Sequence, residues 1–183
     1  MLIAARELDL DGVANQSWQG RTLVNTRGCG LVMAPISRVR TSDRPDYRDV
    51  PLDRPELYFS PSLTGYGIAN TAEAERACGG DEPYSGTAGI RMSSFPRRAA
   101  FALAFLDYNI IGSGAINSDS QFLWVRSIRD RVQKLAPFLS YDGDPYPVAI
   151  DGRVVWIVDG YTTSNSYPYS EHRSLREATA DTL

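Results

Sequence analysis

Between Ser94 and Tyr169 the chain changes periodicity twice, and this stretch most constrains the fold. It opens as an apolar helix. Ser93 or Ser94 can cap it, with Pro96 in the first turn. Ala99, Ala100, Phe101, Leu103, Ala104, Phe105, Tyr108 and Ile111 then cover most of the helix circumference, which predicts burial on more than one side. Gly112 and Gly114 end it. A second helix is expected from Ser118 or Asp119 to Ala136, stopped by Pro137. Its stripe is Phe122, Val125, Ile128 or Arg129, Val132 and Leu135. Arg126–Asp130 and Asp130–Lys134 would pair on its wet face, each contributing roughly 0.2–0.5 kcal/mol. Past Pro137 the period becomes two. Pro147-Val-Ala-Ile, the pair Asp151-Gly152 and Val154-Val-Trp-Ile-Val predict a hairpin. The whole stretch is a packing unit, with no nucleophile–base pair, phosphate loop or metal box on it.

Upstream the pattern is shorter-ranged. Asp9-Leu-Asp-Gly-Val predicts a turn. Arg21 to Val39 reads as a hairpin whose strands are Thr22-Leu-Val-Asn-Thr and Leu31-Val-Met-Ala, broken at Gly28-Cys29-Gly30. Gly28-x-Gly30 lacks the third glycine and the following helix of a dinucleotide site, so that chemistry is excluded. Pro45, Pro51 and Pro55 mark an irregular connector. Glu56-Leu-Tyr-Phe and Tyr66-Gly-Ile-Ala-Asn are two more short strands, and 71–92 reads as a long polar loop. The expected organisation is a single domain: β-rich hairpins over 1–70, a loop over 71–92, two helices over 93–136, a β-hairpin over 137–169 and a polar tail over 170–183. The fold class is α+β, with two packed helices against a small antiparallel sheet of hairpins.

At 183 residues, 43% of them hydrophobic, the chain can bury one sizeable core. A net charge of -3 leaves no broad basic footprint, so nucleic acid is not expected as a partner. Met1-Leu-Ile-Ala-Ala-Arg is not a signal peptide. Ala99 to Ile116 carries Asp107 and Asn109, so it reads as a buried helix rather than a membrane span. Cys29 and Cys78 do not have zinc spacing. They read as two free buried thiols, with a disulfide as the alternative in an oxidising compartment.

Candidate chemistry is sparse. Asp142-Gly-Asp144 places two carboxylates in one turn, where calcium or magnesium could use them as ligands; the ordinary reading is a helix-to-hairpin turn without a cofactor. His172, the single histidine, lies in the polar tail and reads as a surface residue. Asp107, inside an apolar helix, needs a partner, and Arg126, Arg129 and Arg131 are the natural ones. Tyr146, Tyr161, Tyr167 and Tyr169, with Tyr141 and Trp156, could present rings to a ligand, although on a hairpin such rings more often fill cross-strand pairs.

Several runs resemble UPF0182, a large family of bacterial membrane proteins of uncharacterised function. They are Met1-Leu-Ile-Ala-Ala-Arg-Glu-Leu-Asp, Thr22 to Pro35, Glu56-Leu-Tyr-Phe and Ser94-Phe-Pro-Arg-Arg-Ala-Ala-Phe-Ala-Leu. Arg129 to Leu139, Asp142-Gly-Asp-Pro-Tyr, Asp159-Gly-Tyr-Thr-Thr-Ser and Tyr167-Pro-Tyr-Ser continue the match in order. The resemblance implies part of the soluble extracytoplasmic region of a polytopic membrane protein, and hence a fragment or truncated product. It brings no catalytic residues. Cys29 and Cys78 lie outside the family pattern, but an extracytoplasmic setting makes a disulfide as expected as free thiols. The expectation is a non-catalytic module serving assembly or envelope-ligand binding. Other regions of the same protein are its partners, and an open edge at Val154–Val158 offers self-association. A cation-dependent envelope hydrolase and a pure scaffold are the alternatives.

Overall fold

A computed structural model describes residues 1–36, 46–76, 78, 82–164 and 169. Strand β1 (Leu2–Ala5) precedes a π-helical turn at Gly20–Val24, then β2 (Gly28–Cys29), β3 (Leu31–Ala34), β4 (Arg48–Asp49), β5 (Glu56–Leu57), β6 (Gly67–Ala69) and β7 (Ile90–Arg91). Helices α1 (Phe95–Phe105) and α2 (Asn109–Gly112) follow, then β8 (Gln121–Leu123), α3 (Ile128–Leu135), β9 (Ser140–Tyr141), β10 (Tyr146–Ile150), β11 (Arg153–Ile157) and β12 (Gly160–Tyr161). The fold is α+β, with its strands in small antiparallel sheets: β1-β3-β4, β6-β8-β7 and the pairs β2-β5, β9-β12 and β10-β11.

The sheet β6-β8-β7 is the centre of the molecule. Ile68 and Ile90 stand opposite Phe122, and Gly67 opposite Leu123. Neighbouring strand residues point to opposite faces, and here both faces are covered. Ile68 and Phe122 enter a cluster with Leu23, Met92, Ala102 and Ile110. Ala69 and Leu123 enter a second cluster with Tyr58 and Tyr84. Phe122 stacks on Phe101 at 4.4 Å and on Tyr66 at 4.8 Å, which seats α1 on the sheet.

This arrangement corrects the expected second helix. Its first part, at Gln121–Leu123, is strand β8, and only Ile128–Leu135 is helical. Burying Phe122 fully contributes about 1.5–3 kcal/mol, which outweighs the surface pairs a longer helix could make. Val125 has φ 50°, a left-handed conformation that separates strand from helix. Ser127 Oγ then accepts from Asp130 N at 3.3 Å and starts α3. Arg126 therefore precedes the helix and cannot pair with Asp130 at i,i+4, while the Lys134 ammonium lies 5.6 Å from the Trp124 ring.

Two other expectations shift. Thr22-Leu-Val is a π-helical turn rather than a strand, closed by Asn25 N donating to Gly20 O at 2.9 Å; β3 pairs instead with β1, Leu2 opposite Ala34. The apolar helix stops at Phe105, because Leu106 takes φ 52°, and α2 ends at Gly112. The expected burial on more than one side of this helix is not met among the described residues, since Ala102 alone in α1 is fully enclosed.

The hairpin is as expected: Tyr146 pairs with Ile157 and Ile150 with Arg153 across a turn at Asp151 and Gly152. Both turn residues have positive φ, 48° and 68°, the geometry of a type I′ turn. On the other side of β11 the pairing among the described residues is a single parallel bridge, Arg153 with Arg54, so the edge beyond it carries no ladder. His172 lies outside the described residues.

Arg126 fastens these pieces together. Its side chain has no solvent exposure. Nε donates to Tyr58 O at 3.1 Å, and Nη2 donates to Thr26 O. Nη1 is buried without a hydrogen-bond partner among the described residues. A Cβ on Gly67 would stand 2.9 Å from Nη1, so glycine there makes room for the guanidinium. Removing a buried charged donor leaves its acceptors dry and unpaired. Arg126→Met is expected to destabilise the chain by about 2–4 kcal/mol in urea unfolding. Gly67→Ala is expected to lower stability through the same contact, and a wild-type midpoint in both variants would remove this role from Arg126.

Candidate functional site

Cys29 in β2 and Cys78 are joined by a disulfide, with Cα atoms 5.4 Å apart. The expectation of free thiols is thus replaced by its alternative. A buried polar network beside the bridge holds Arg76 and Glu82 to Arg27, next to β2. Arg27 donates through Nε to Arg76 O at 3.1 Å and through Nη1 to Tyr58 OH at 3.1 Å and Glu82 O at 3.2 Å. The Glu75 carboxylate lies 3.9 Å from Arg27 Nε. It accepts from Thr26 Oγ1 at 2.5 Å, Tyr58 OH at 2.9 Å and Asn70 N at 2.9 Å. Asn70 in turn accepts from Tyr84 N and donates to Tyr84 O. The described part of the loop over 71–92 is therefore tied down.

The electrostatics follow from this packing. Burial, and then the charge of Glu75, push the Tyr58 hydroxyl above its ordinary value, so it stays protonated and keeps donating to the carboxylate. Burial pulls the Arg126 guanidinium down to about 10, while the Glu75 charge acts in the opposite direction. Glu75 thus serves both buried arginines.

A groove of about 760 Å³ opens against the disulfide, edged by Arg6, Glu7, Asp9, Asn25 and Arg76. Its size suits a small ligand or a peptide segment. The fold, however, already uses most of its charges. Arg6 pairs with Asp49 at 2.6 Å, and Glu7 accepts from Ser62 N at 3.0 Å. Asp9 accepts from Asp11 N at 3.0 Å. Arg27, Tyr58 and Glu75 were not singled out from sequence, because their pairing runs between residues 31 and 17 positions apart and nothing local marks it.

Asp107 is built differently from its expectation. None of Arg126, Arg129 and Arg131 forms an ion pair with it. One carboxylate oxygen accepts from Trp18 Nε1 at 2.8 Å and from Tyr66 OH, and the other from Asn109 N at 3.0 Å and Asn109 Nδ2 at 2.9 Å. The arginines are elsewhere: Arg126 in the interior, and Arg131 4.3 Å over the Phe59 ring. Burial by itself raises the Asp107 carboxyl, but the bonds from Tyr66, Asn109 and Trp18 together hold it below its ordinary value. Neutral donors satisfy this carboxylate, which ties the N-terminal segment to the helices.

The aromatic stretch divides in two. Tyr141 OH reaches Val132 O at 3.0 Å and Ala136 O at 3.2 Å, closing the end of α3, and Trp156 Nε1 donates to Phe59 O at 3.1 Å. Tyr146, Tyr161 and Tyr169 are exposed, whereas Tyr167 lies outside the described residues. In the Asp142–Asp144 turn, Asp142 N donates to Asp159 O at 2.9 Å and its own carboxylate accepts from Gly143 N at 2.6 Å. Asp144 is exposed. Among the described residues no group of three histidine, cysteine or acidic side chains is placed to hold a metal ion.

Two measurements follow. A folded carboxyl value below the unfolded one contributes stability that is present above the unfolded value and lost as pH falls through the folded one. Asp107→Ala is therefore expected to cost about 1–3 kcal/mol at pH 7 in urea unfolding, with the difference from wild type shrinking below about pH 3.8. A pH-independent difference would assign the loss to packing. For the turn, no third histidine, cysteine or acidic side chain joins the two carboxylates among the described residues, whereas calcium ordinarily takes several more oxygen ligands. Calorimetric titration with calcium or magnesium is expected to show no heat that Asp144→Ala abolishes.

The description "Uncharacterised protein family (UPF0182)" matches residues 1–182. A UPF0182 protein of Saccharopolyspora erythraea is 39% identical over 100% of this chain and 22% of its own length. One of Bifidobacterium adolescentis is 38% identical over 98% of the chain and 18% of its length. One of Desulforamulus reducens is 39% identical over 93% of the chain and 20% of its length. No solved structure matches the chain. The chain spans about a fifth of the length of these relatives. With nearly every residue matched and relatives near 39% identity, the chain belongs to the uncharacterised UPF0182 family.

Proposed function

We propose that this chain is a non-catalytic, extracytoplasmic module of a longer membrane protein, acting in assembly or in binding a cell-envelope ligand. The observation that carries the reading is the Cys29–Cys78 disulfide. Such bridges persist in oxidising compartments and are rare in the cytosol. The bridge is also integral to the fold, because it closes a segment of sequence separation 49 beside the Arg27–Glu75 network. Among the described residues no helix is long and apolar enough to cross a membrane; in this reading membrane attachment is assigned to other parts of the longer protein.

The internal use of the polar groups supports a binding or assembly role over chemistry. The carboxylates of Glu75 and Asp107 already accept three and four hydrogen bonds from the fold. Among the described residues, surfaces left for a partner include the groove beside the disulfide and the outward tyrosines Tyr146, Tyr161 and Tyr169.

The test is thiol chemistry in cells that produce the longer protein. Alkylation with a maleimide-polyethylene glycol reagent before and after reduction is expected to shift the protein only after reduction. A membrane-impermeant maleimide should then reach the reduced thiols in intact cells. Free thiols before reduction, or labelling only after lysis, would overturn the extracytoplasmic assignment.

A further inference from the structure

The outward side of α1 and of the turn into α2 is apolar and uncovered. Leu103 is 75% exposed, Leu106 87%, Tyr108 80% and Ile111 39%. Ala100 and Ala104 are exposed on the same helix. The opposite side, through Ala102 with Phe101 and Phe105 beside it, already packs on the sheet. Apolar residues on two opposite sides of a helix call for burial on both, and here only one side is interior.

We infer that this face is the docking surface for an apolar segment from another region of the same, longer UPF0182 polypeptide. The inference rests on the reading of the chain as one module of a larger protein. Two observations choose this occupant. The relatives are roughly five times longer than the stretch they share with this chain, so most of their sequence lies outside it. A segment tethered in the same chain docks at high effective concentration and so needs less apolar area than a separate partner. Charge is the second. Arg97 is the sole charged residue exposed on α1, and the chain carries a net charge of -3, so a basic rim that would hold anionic lipid is absent from this helix.

Site-specific photocrosslinking tests this. The 183-residue chain is grafted into the Saccharopolyspora erythraea relative in place of its matched stretch, with benzoylphenylalanine at Leu103 or Leu106 and, as control, at exposed Arg129 on α3. Irradiation in cells followed by peptide mass spectrometry is expected to join positions 103 and 106 to peptides outside the graft, within one polypeptide. Yields should be at least threefold above position 129. Crosslinks between two copies, lipid adducts, or yields equal to position 129 would each overturn the inference. If the graft does not accumulate, the chain is co-produced with the relative lacking its matched stretch, and crosslinks from positions 103 and 106 to that relative take the place of those within one polypeptide. Crosslinks inside one polypeptide with free thiols would refute the compartment alone. A bridged, extracytoplasmic protein without them would refute the docking face alone.

Discussion

The buried guanidinium of Arg126 is the contact on which the other parts of the structure depend. It leaves strand β8 at a left-handed turn and reaches the carbonyls of Thr26 and Tyr58. Taking an arginine out of water costs several kcal/mol unless acceptors and a counter-charge offset it. The two carbonyls supply the first and Glu75 the second. The consequence is geometric. With Thr26 and Tyr58 held at one guanidinium, Arg27 and Tyr58 face Glu75, and the segment carrying Cys78 lies beside Cys29. Gly67 is the concession this requires, a strand residue without a side chain where the guanidinium needs the space.

The polar groups that would attract attention in a search for chemistry are consumed by this fastening. Tyr58 and Glu75 form a donor–acceptor pair, but burial keeps the tyrosine protonated. Asp107, alone in an apolar stretch, is saturated by Trp18, Tyr66 and Asn109. Among the described residues, the groove beside the bridge, the outer face of α1 and the exposed tyrosines are surfaces that remain open.

How much was legible in the residues varied with the range of the interaction. The β10–β11 hairpin follows from Asp151-Gly152, because a two-residue turn with positive φ fits that pair and sets the register by itself. The start of α1 follows from Ser94 and Pro96 in the same local way. Strand β8 was hidden. Phe122 and Val125 fit a helical stripe as well as they fit a strand, and only pairing with Ile68 and Ile90, far away in sequence, distinguishes the two. The Asp107 partners were hidden for the same reason: Trp18 lies 89 positions upstream and Tyr66 41, whereas the nearby arginines were drawn elsewhere. At the candidate site the tyrosine-rich stretch was visible, but nothing local separates Tyr141 and Trp156, which bond backbone carbonyls, from the outward Tyr146 and Tyr161.

Residues alone sufficed for the α+β class, the hairpin, the starting position of the first helix and the family, since these depend on local backbone preference, alternation and ordered motifs; the Ser94 side chain itself makes no capping hydrogen bond. Three-dimensional packing settled the disulfide, the partners of Arg27, Glu75 and Asp107, and which side of the apolar helix is covered. These depend on distances between segments tens of residues apart, and such distances arise only once the two faces of the β6-β8-β7 sheet are buried.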